Sequence, residues 1–409
     1  MNVWGAVVLA GLSLQLGLGL AAGALNVRAL DPDVPPEFRG VYDPDRYRRA
    51  QEYTRARVRF GMIVEVASLA VVIAFWFAHG FGWLDESVRA LGLGPVPTGL
   101  AFIAALALGR TVFALPFRWW STFVIEERFG FNRTTLRTFL GDLAKGLVLS
   151  ALLGAPLVAA VLWLFGAAGS LAWLWCWLAA AVFVVTVQFV APTWIMPLFN
   201  RFTPLPEGAL REAILGYARS VRFPLEGVFV IDGSRRSTKA NALFTGFGKR
   251  KRIALFDTLL QTLDQREIVA VVAHEIGHYK RRHVLKGMAI AIAQMGAVFF
   301  ILSVLLRNES LFHAFFVQQP SLHAGLVLFA LLFTPIDLVL SVVLHALSRR
   351  HEREADAFAV TTTGSGDALA SGLKRLSADS LANLTPHPLE VLLHYSHPPV
   401  RERVHALSG

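Results

Sequence analysis

The sequence predicts a multi-pass membrane protein that is mainly α-helical, with seven transmembrane helices and a small α+β domain between the fifth and the sixth. Of the 409 residues, 55% are hydrophobic and 17% are charged, whereas soluble domains average roughly 45–50% and 25%. The charged residues concentrate in a few connections, and the apolar stretches reach the length of about 20 residues that a bilayer requires. These observations exclude an ordinary soluble domain and a disordered chain.

Seven apolar stretches account for the predicted helices. They cover residues 4–25, 60–81, 99–117, 146–165, 171–190, 288–306 and 324–346. No basic residue precedes Arg28, whereas a cleaved signal peptide carries basic residues at its N-terminal end, so we predict that the first stretch is retained as a span. Glu65, Arg110 and Asp337 lie inside spans, where ionisable residues are costly, and they either line a hydrated chamber or form interhelical pairs.

Arg and Lys residues alternate between the two sides of the predicted helices. The first, third and fifth connections and the C-terminal tail are rich in them, whereas the N-terminal segment and the other connections contain one or none. Because cytoplasmic flanks are enriched in Arg and Lys, the pattern predicts an N-terminus outside and a long fifth connection and tail in the cytoplasm. The net charge of +10 is thereby explained by Arg and Lys residues that flank the membrane spans. We therefore expect the lipid bilayer as a partner and do not expect nucleic acid as one.

The fifth connection carries the soluble structure. Residues 228–231, 241–244 and 253–256 are predicted strands, the last two joined around Gly246 and Gly248. Asp264, followed three residues later by Glu267, predicts the start of a helix. The chain thus divides into five N-terminal spans (1–190), a soluble domain (191–287), two further spans (288–346) and a C-terminal segment (347–409).

The predicted helix carries His274, Glu275 and His278 in the motif HEIGH. Imidazoles at i and i+4 project from one helical face and can bind one Zn²⁺, while the glutamate between them can act as a general base. The chain has one cysteine, Cys176, so the ligands of any metal must be His, Asp or Glu. The alternative is a pair of ordinary polar residues on a solvated helix.

A third ligand must come from elsewhere, because catalytic zinc usually takes three protein ligands and keeps one position for water. The acidic stretch 348–359 follows the seventh span, on the same predicted side of the membrane as the two histidines. Glu352 and Asp356 are i and i+4, so both can face the metal, with Glu352 as a ligand and Asp356 orienting a histidine ring. Glu354 points away from that face. Taken alone, these acids are better explained as ion pairs with neighbouring arginines.

Further motifs make the chain resemble, over nearly its full length, the Ste24-type CAAX prenyl proteases, which are membrane zinc metalloproteases of the M48 family. The motifs are residues 34–37, 39–42, 127–132, 197–200, 237–241, 251–260, 274–278, 352–359 and 394–399. The resemblance implies a ring of seven helices that encloses a water-filled chamber. It also implies a gluzincin-like zinc domain at the cytoplasmic end of that ring.

The resemblance implies roles for individual residues as well. One Zn²⁺ per chain would be bound by three ligands, His274, His278 and Glu352. Glu275 would be the catalytic base, and Asp356 would support a ligand from behind. His397 and Arg403 would lie near the active site and hold substrate or developing negative charge. Asn241 would begin an edge strand along which the substrate peptide lies extended.

We therefore predict a zinc metalloendopeptidase that cleaves peptide or protein substrates, prenylated CAAX proteins by resemblance. The abundance of Ala, Leu and Arg indicates a bacterial source and hence the inner membrane, although bacteria generally lack protein prenylation. One alternative is a quality-control metalloprotease for membrane proteins without prenyl specificity. Another is a transporter or channel with a structural zinc site.

Overall fold

The chain is represented by a computed structural model, which describes residues 2–245 and 251–408. These residues form a mainly helical structure. Its α-helices are α1 (Val3–Arg28), α2 (Pro44–Phe77), α3 (Gly80–Arg89), α4 (Pro95–Trp120), α5 (Leu136–Ala167), α6 (Ala172–Val190), α7 (Met196–Phe199), α8 (Ala209–Ser220), α9 (Asp257–Thr262), α10 (Gln265–Lys280), α11 (His283–Leu305), α12 (Glu309–Ala314), α13 (Leu322–Thr363), α14 (Asp367–Asp379), α15 (Pro388–His394) and α16 (Val400–Ser408).

Seven helical segments of the described chain are long and apolar enough to cross a membrane, which confirms the predicted fold class. They are Val3–Arg28, Pro44–Phe77, Pro95–Glu126, Leu136–Ala167, Gly169–Phe199, His283–Leu305 and Leu322–Thr363. Two of them continue through π-helical turns, Ser121–Glu126 and Ala191–Ile195. Most run beyond the predicted apolar stretches, because helical hydrogen bonding continues into polar residues.

The second span shows how far a helix can extend past its apolar part. The sequence predicts that apolar part from residue 60, but α2 begins at Pro44. The Asp43 side chain caps the helix by accepting a hydrogen bond from the backbone N–H of Arg46, and proline suits the first helical position. Arginine is a good helix former. The basic segment is therefore a helical extension of the span.

A four-stranded sheet forms part of the soluble structure, with the strand order β1-β2-β4-β3. The strands are β1 (Phe202–Pro204), β2 (Leu225–Ile231), β3 (Ala242–Thr245) and β4 (Lys251–Phe256). β2 and β4 pair in parallel, and the two outer pairs are antiparallel. The three predicted strands correspond to β2, β3 and β4, whereas β1 is too short to give a period-2 signal. The turn predicted at Gly246 and Gly248 lies outside the described residues.

The core of the soluble structure lies between the sheet, α10 and α14. Ile253 and Leu255 contribute from the sheet, Val272 and Ile276 from α10, and Leu369 from α14, each of them at most 2% exposed. Burying these side chains stabilises the contact by about 25 cal/mol per Å² of apolar surface. The packing also fixes the rotation of α10 about its axis, and with it the direction of the polar residues on that helix.

The seventh span and the acidic stretch belong to one helix. α13 has 42 residues, which corresponds to a length of about 63 Å. It ends at Thr363 and is capped by Gly364, whose φ of +84° favours glycine. The domain boundaries that the sequence suggests after residues 287 and 346 fall inside α11 and α13, so continuous helices connect the membrane part to the soluble part.

The ionisable residues within the spans have different surroundings. Glu65 lines a cavity of about 360 Å³ between α1, α2, α13 and α15, together with His394. Arg110 and Asp337 are exposed on their helices. Of the two interpretations given for these residues, a position that lines a cavity therefore fits Glu65.

Candidate active site

Helix α10 places the two histidines of the HEIGH motif. The Asp264 side chain accepts a hydrogen bond from the Glu267 backbone N–H at 3.0 Å, and the Glu267 carboxylate accepts one from the Asp264 backbone N–H at 2.9 Å. This capping box confirms the helix start that the sequence predicts. Further along, the Nε2 atoms of His274 and His278 lie 3.1 Å apart. The i, i+4 spacing thus brings both ring nitrogens to one point beside the helix.

Helix α13 brings Glu352 to the same point. Its Oε1 lies 3.2 Å from Nε2 of His278 and its Oε2 lies 3.4 Å from Nε2 of His274. One ligand atom from each residue lies within 4.8 Å of the others. Gly277 permits this approach, because a Cβ at that position would lie 3.1 Å from the backbone of Ala355. The two helices therefore meet backbone to backbone beside the site.

The donors of this group suit a zinc ion, which is bound in proteins by imidazole nitrogen and carboxylate oxygen. Within the described structure, Glu352 Oε2 is buried and makes no hydrogen bond, which is unfavourable unless another partner compensates. Burial disfavours a charged imidazole, yet contacts with Asp356 and Glu352 outweigh it and raise the pKa of His274 to about 9. The site therefore favours positive charge, and His274, His278 and Glu352 fit a metal ion.

Asp356 lies behind His274, one turn along α13 from Glu352. Its Oδ1 lies 2.8 Å from Nδ1 of His274, which leaves Nε2 of that ring for the ligand group. Arg403 on α16 donates from Nε and Nη2 to the two oxygens of Asp356, at 2.8 and 2.6 Å. Such a bidentate ion pair is strong and directional. It fixes the carboxylate that orients His274.

His397 and Arg403 both approach Glu352. Nε2 of His397 lies 3.3 Å from Glu352 Oε1, and Nη1 of Arg403 lies 3.5 Å from Glu352 Oε2. The His397 side chain is 62% exposed, whereas that of Arg403 is 10% exposed. His397 is therefore accessible to a substrate, whereas Arg403 is engaged with the carboxylates of Asp356 and Glu352.

Glu275 lies between the two histidines in sequence and is partly buried. Its burial raises the pKa of its carboxyl group, since a carboxylate loses solvation there, although His274 and His278 act in the opposite direction. A carboxyl group whose pKa is moved towards neutrality can both accept and return a proton. The environment of Glu275 thus suits a general base.

Sequence reasoning missed the contact behind His278. Nδ1 of His283 lies 3.0 Å from Nδ1 of His278, and Nε2 of His283 lies 3.1 Å from Glu354 Oε2. Glu354 lies outside the ligand group, as its helical spacing predicts, but it reaches the site through His283. A histidine five residues after the motif was the available signal. Its direction depends on the turn at Arg282, whose φ is +58°.

Asn241 directly precedes β3, which lies at the edge of the sheet. Its backbone C=O accepts a hydrogen bond from the Phe256 N–H at 3.0 Å, and its side chain accepts one from the Ala242 N–H at 2.8 Å. Just before it, Lys239 Nζ donates to Glu126 Oε2 at 2.7 Å, which ties the segment to a membrane helix. β3 also contacts α10. Among the described strands only β4 pairs with β3, so the opposite edge of β3 has no partner among those strands.

A His-His-Glu group that could hold a metal ion, combined with helices of membrane length, is the arrangement expected of an integral-membrane metallopeptidase. Comparison with family models makes this specific: residues 24–201 match the CAAX prenyl protease N-terminal model, described as five membrane helices, and residues 204–409 match peptidase family M48. The chain belongs to the M48 peptidase family. It is a membrane metalloendopeptidase of the Ste24 type.

Individual relatives support the same conclusion. The chain is 37% identical to a CAAX prenyl protease 1 homolog of Arabidopsis thaliana over 388 residues, which are 92% of this chain and 91% of the relative. It is 32% identical to the Homo sapiens homolog over 453 residues, covering 99% and 95%. The crystal structure of S. mikatae Ste24p matches all of both chains, with a TM-score of 0.95 and 30% identity.

These comparisons confirm the predicted family, fold class and enzyme class. Membership of a peptidase family sets aside the transporter alternative. The metal and the peptide or protein substrate follow from the family. The bacterial source indicated by composition finds no support in the relatives named above, all of which are eukaryotic.

Proposed function

We propose that this chain is a zinc endopeptidase, with His274, His278 and Glu352 as ligands and Glu275 as catalytic base. The observation that carries the proposal is Glu352 Oε2, a buried oxygen that forms no hydrogen bond within the described part of the chain and that faces Nε2 of His274 at 3.4 Å. A purely structural zinc site would have no use for a partly buried proton acceptor beside three ligands. Glu275 therefore favours a catalytic site.

Several residues of the chain have separate roles in the proposed hydrolysis. Zinc, when bound, supplies a Lewis acid for the scissile carbonyl and for water. Glu275 accepts a proton from the attacking water at a carboxylate oxygen and passes it to the leaving amine. His397 donates from Nε2 to the carbonyl oxygen as negative charge develops there, a contribution of about 3 kcal/mol per donor in other hydrolases. Arg403 adds positive charge from behind Glu352.

The edge of β3 that faces away from β4 is the proposed substrate site. An extended peptide can join such an edge as a further strand through main-chain hydrogen bonds, and Asn241 marks where this strand begins. The relatives are named CAAX prenyl proteases, and by that similarity we propose prenylated CAAX peptides as substrates. The quality-control alternative uses the same edge without a prenyl group.

The proposed orientation places the N-terminus outside and the active site in the cytoplasm. It is supported by the alternation of Arg and Lys among the connections and by the odd number of span helices in the described chain. The abundance of Ala, Leu and Arg supports a bacterial inner membrane, a setting that favours the quality-control alternative because bacteria generally lack protein prenylation.

The substrate proposal is tested with detergent-purified protein and matched peptides, farnesylated and unmodified, with and without a chelator. We expect cleavage that the chelator abolishes and that is faster for the farnesylated peptide. Equal cleavage of both peptides would remove the prenyl requirement and favour the quality-control alternative. No cleavage of either peptide would contradict the proposed function.

Variants of the site separate the base from the ligands. Glu275→Gln should retain zinc, measured by elemental analysis, and lose cleavage, whereas His274→Ala and Glu352→Ala should lose the metal. Glu226→Gln is a matched control, because Glu226 pairs with Arg252 at 3.1 Å on the sheet. A near wild-type cleavage rate in Glu275→Gln would refute the assignment of the base.

A further inference from the structure

The second histidine of the motif is backed by a side chain from the next helix. His283 is the first residue of α11, and its side chain is 4% exposed. Its Nδ1 lies 3.0 Å from Nδ1 of His278, and its Nε2 lies 3.1 Å from Glu354 Oε2. The protein itself therefore supplies a partner to each nitrogen of His283. The three side chains form a line that runs from Glu354 through His283 to His278.

The carboxylate sets the direction of the hydrogen bonds along this line. An ionised Glu354 can only accept, so Nε2 of His283 donates to it. A neutral imidazole has one donor and one acceptor nitrogen, so Nδ1 of His283 accepts from Nδ1–H of His278. His278 then keeps its free lone pair at Nε2, the atom that lies 3.2 Å from Glu352 Oε1. The line thus selects the tautomer of His278 that can bind a metal.

His274 is held in the corresponding tautomer by a direct contact, since Asp356 Oδ1 lies 2.8 Å from its Nδ1. Each ligand histidine thus has a carboxylate behind it, Asp356 directly and Glu354 through His283. We propose that His283 and Glu354 are positioning residues, which hold His278 in its metal-binding tautomer and orientation. The proposal rests on the proposed function, in which His278 is a zinc ligand.

Helix α13 holds both His283 and Glu354 in place. The ring of His283 stacks on that of His351, with centroids 4.1 Å apart and planes 11° apart. Glu354 also accepts a hydrogen bond from Arg350 Nε at 3.1 Å. Because α13 also carries Glu352, these contacts connect the turn after α10 to the helix that supplies the third ligand. They therefore restrain His278 relative to Glu352.

Zinc affinity of the purified full-length protein, measured by competition with a chromogenic chelator, tests the proposal. His283→Phe keeps a flat ring for stacking but removes both nitrogens, and Glu354→Met removes the carboxylate. We expect zinc to bind about 10–100-fold more weakly in both, as for other outer partners of metal ligands. His283→Asn places an amide oxygen close to the position of Nδ1, so it should recover most of the affinity.

Arg48→Met is the matched control, because it removes an ion pair with Asp45 at 3.0 Å from a side chain that is 71% exposed, on helix α2, which contributes no residue to this line of side chains. Its affinity should stay within about twofold of wild type. The visible spectrum of the cobalt-substituted protein should change in His283→Phe and stay unchanged in the control, because the spectrum reports ligand orientation.

Two results would overturn the proposal. The first is wild-type zinc affinity in both His283→Phe and Glu354→Met, with Glu354→Met deciding alone if His283→Phe does not fold. The second is an equal loss of affinity in the Asn and Phe variants of His283, which would assign the residue a structural role only. Undiminished zinc binding in His278→Ala would instead contradict the ligand set of the proposed function.

Discussion

Replacement of Gly277 by alanine tests how closely the metal site depends on the contact between α10 and α13. A Cβ at Gly277 would lie 3.1 Å from the Cα and the carbonyl oxygen of Ala355 and 3.2 Å from Cδ1 of Phe358. These distances are shorter than ordinary contacts, which begin at 3.4 Å. Two of the atoms belong to the backbone and cannot rotate away, so the helices must separate by a few tenths of an ångström.

That displacement acts directly on the ligands, because His274 and His278 lie on α10 and Glu352 on α13. Metal–ligand distances tolerate deviations of about 0.2 Å, so we expect zinc affinity to fall at least about tenfold. Stability changes less: overpacking costs about 1–3 kcal/mol, whereas alanine in place of a helical glycine gains roughly 1 kcal/mol. The free energy of unfolding of the metal-free protein should therefore fall by about 0–2 kcal/mol.

Chelator competition and thermal unfolding of the same preparation separate the two effects of Gly277→Ala. Gly287→Ala in α11 is the control, because a Cβ there would meet no atom of the described residues within 4 Å and should leave zinc affinity unchanged. Unchanged zinc affinity in Gly277→Ala would refute this reasoning, and so would an equal loss of affinity in the control.

Three further predictions concern the surroundings of the site. Arg403→Lys cannot bind Asp356 with two nitrogens in a fixed plane, so its cleavage rate should fall about tenfold or more with zinc content retained; an unchanged rate would contradict this. Burial raises the pKa of Asp379 despite Arg46, so its stabilising contribution is present at low pH and is lost as pH rises through the folded-state pKa. Asp379→Asn should therefore raise Tm at pH 7 but not at a pH below 3.8, the ordinary pKa of an aspartate carboxyl group. An equal shift of Tm at these two pH values would argue against this prediction. Chelation should lower Tm in the wild type, because a ligand that binds only the folded state stabilises it, and the absence of such a shift would argue against a bound metal.

The fold class follows from sequence features that act over short distances. Each span is an uninterrupted apolar stretch, so its existence can be predicted without knowing its neighbours. The start of α10 is equally local, since Asp264 and Glu267 satisfy each other's backbone N–H groups. The spacing of His274 and His278 places both rings on one face wherever the helix lies.

Helix ends were harder to predict because hydropathy does not mark them. The basic segment that begins at Pro44 continues α2, and α13 runs past the membrane part to Thr363. In both cases hydrogen bonding and capping, rather than apolar character, determine where the helix begins or ends. Domain boundaries drawn from composition therefore fell inside helices.

The seven spans and the helix with the two histidines follow from the sequence alone, and family resemblance adds the residues assigned to the site. The contacts around the ligands depend on the tertiary structure: Arg403 reaches Asp356 from another helix, and Glu354 reaches His283. Those contacts join residues that are 47 and 71 positions apart. Their geometry depends on how α10, α11, α13 and α16 pack together, and no local pattern of residues records that packing.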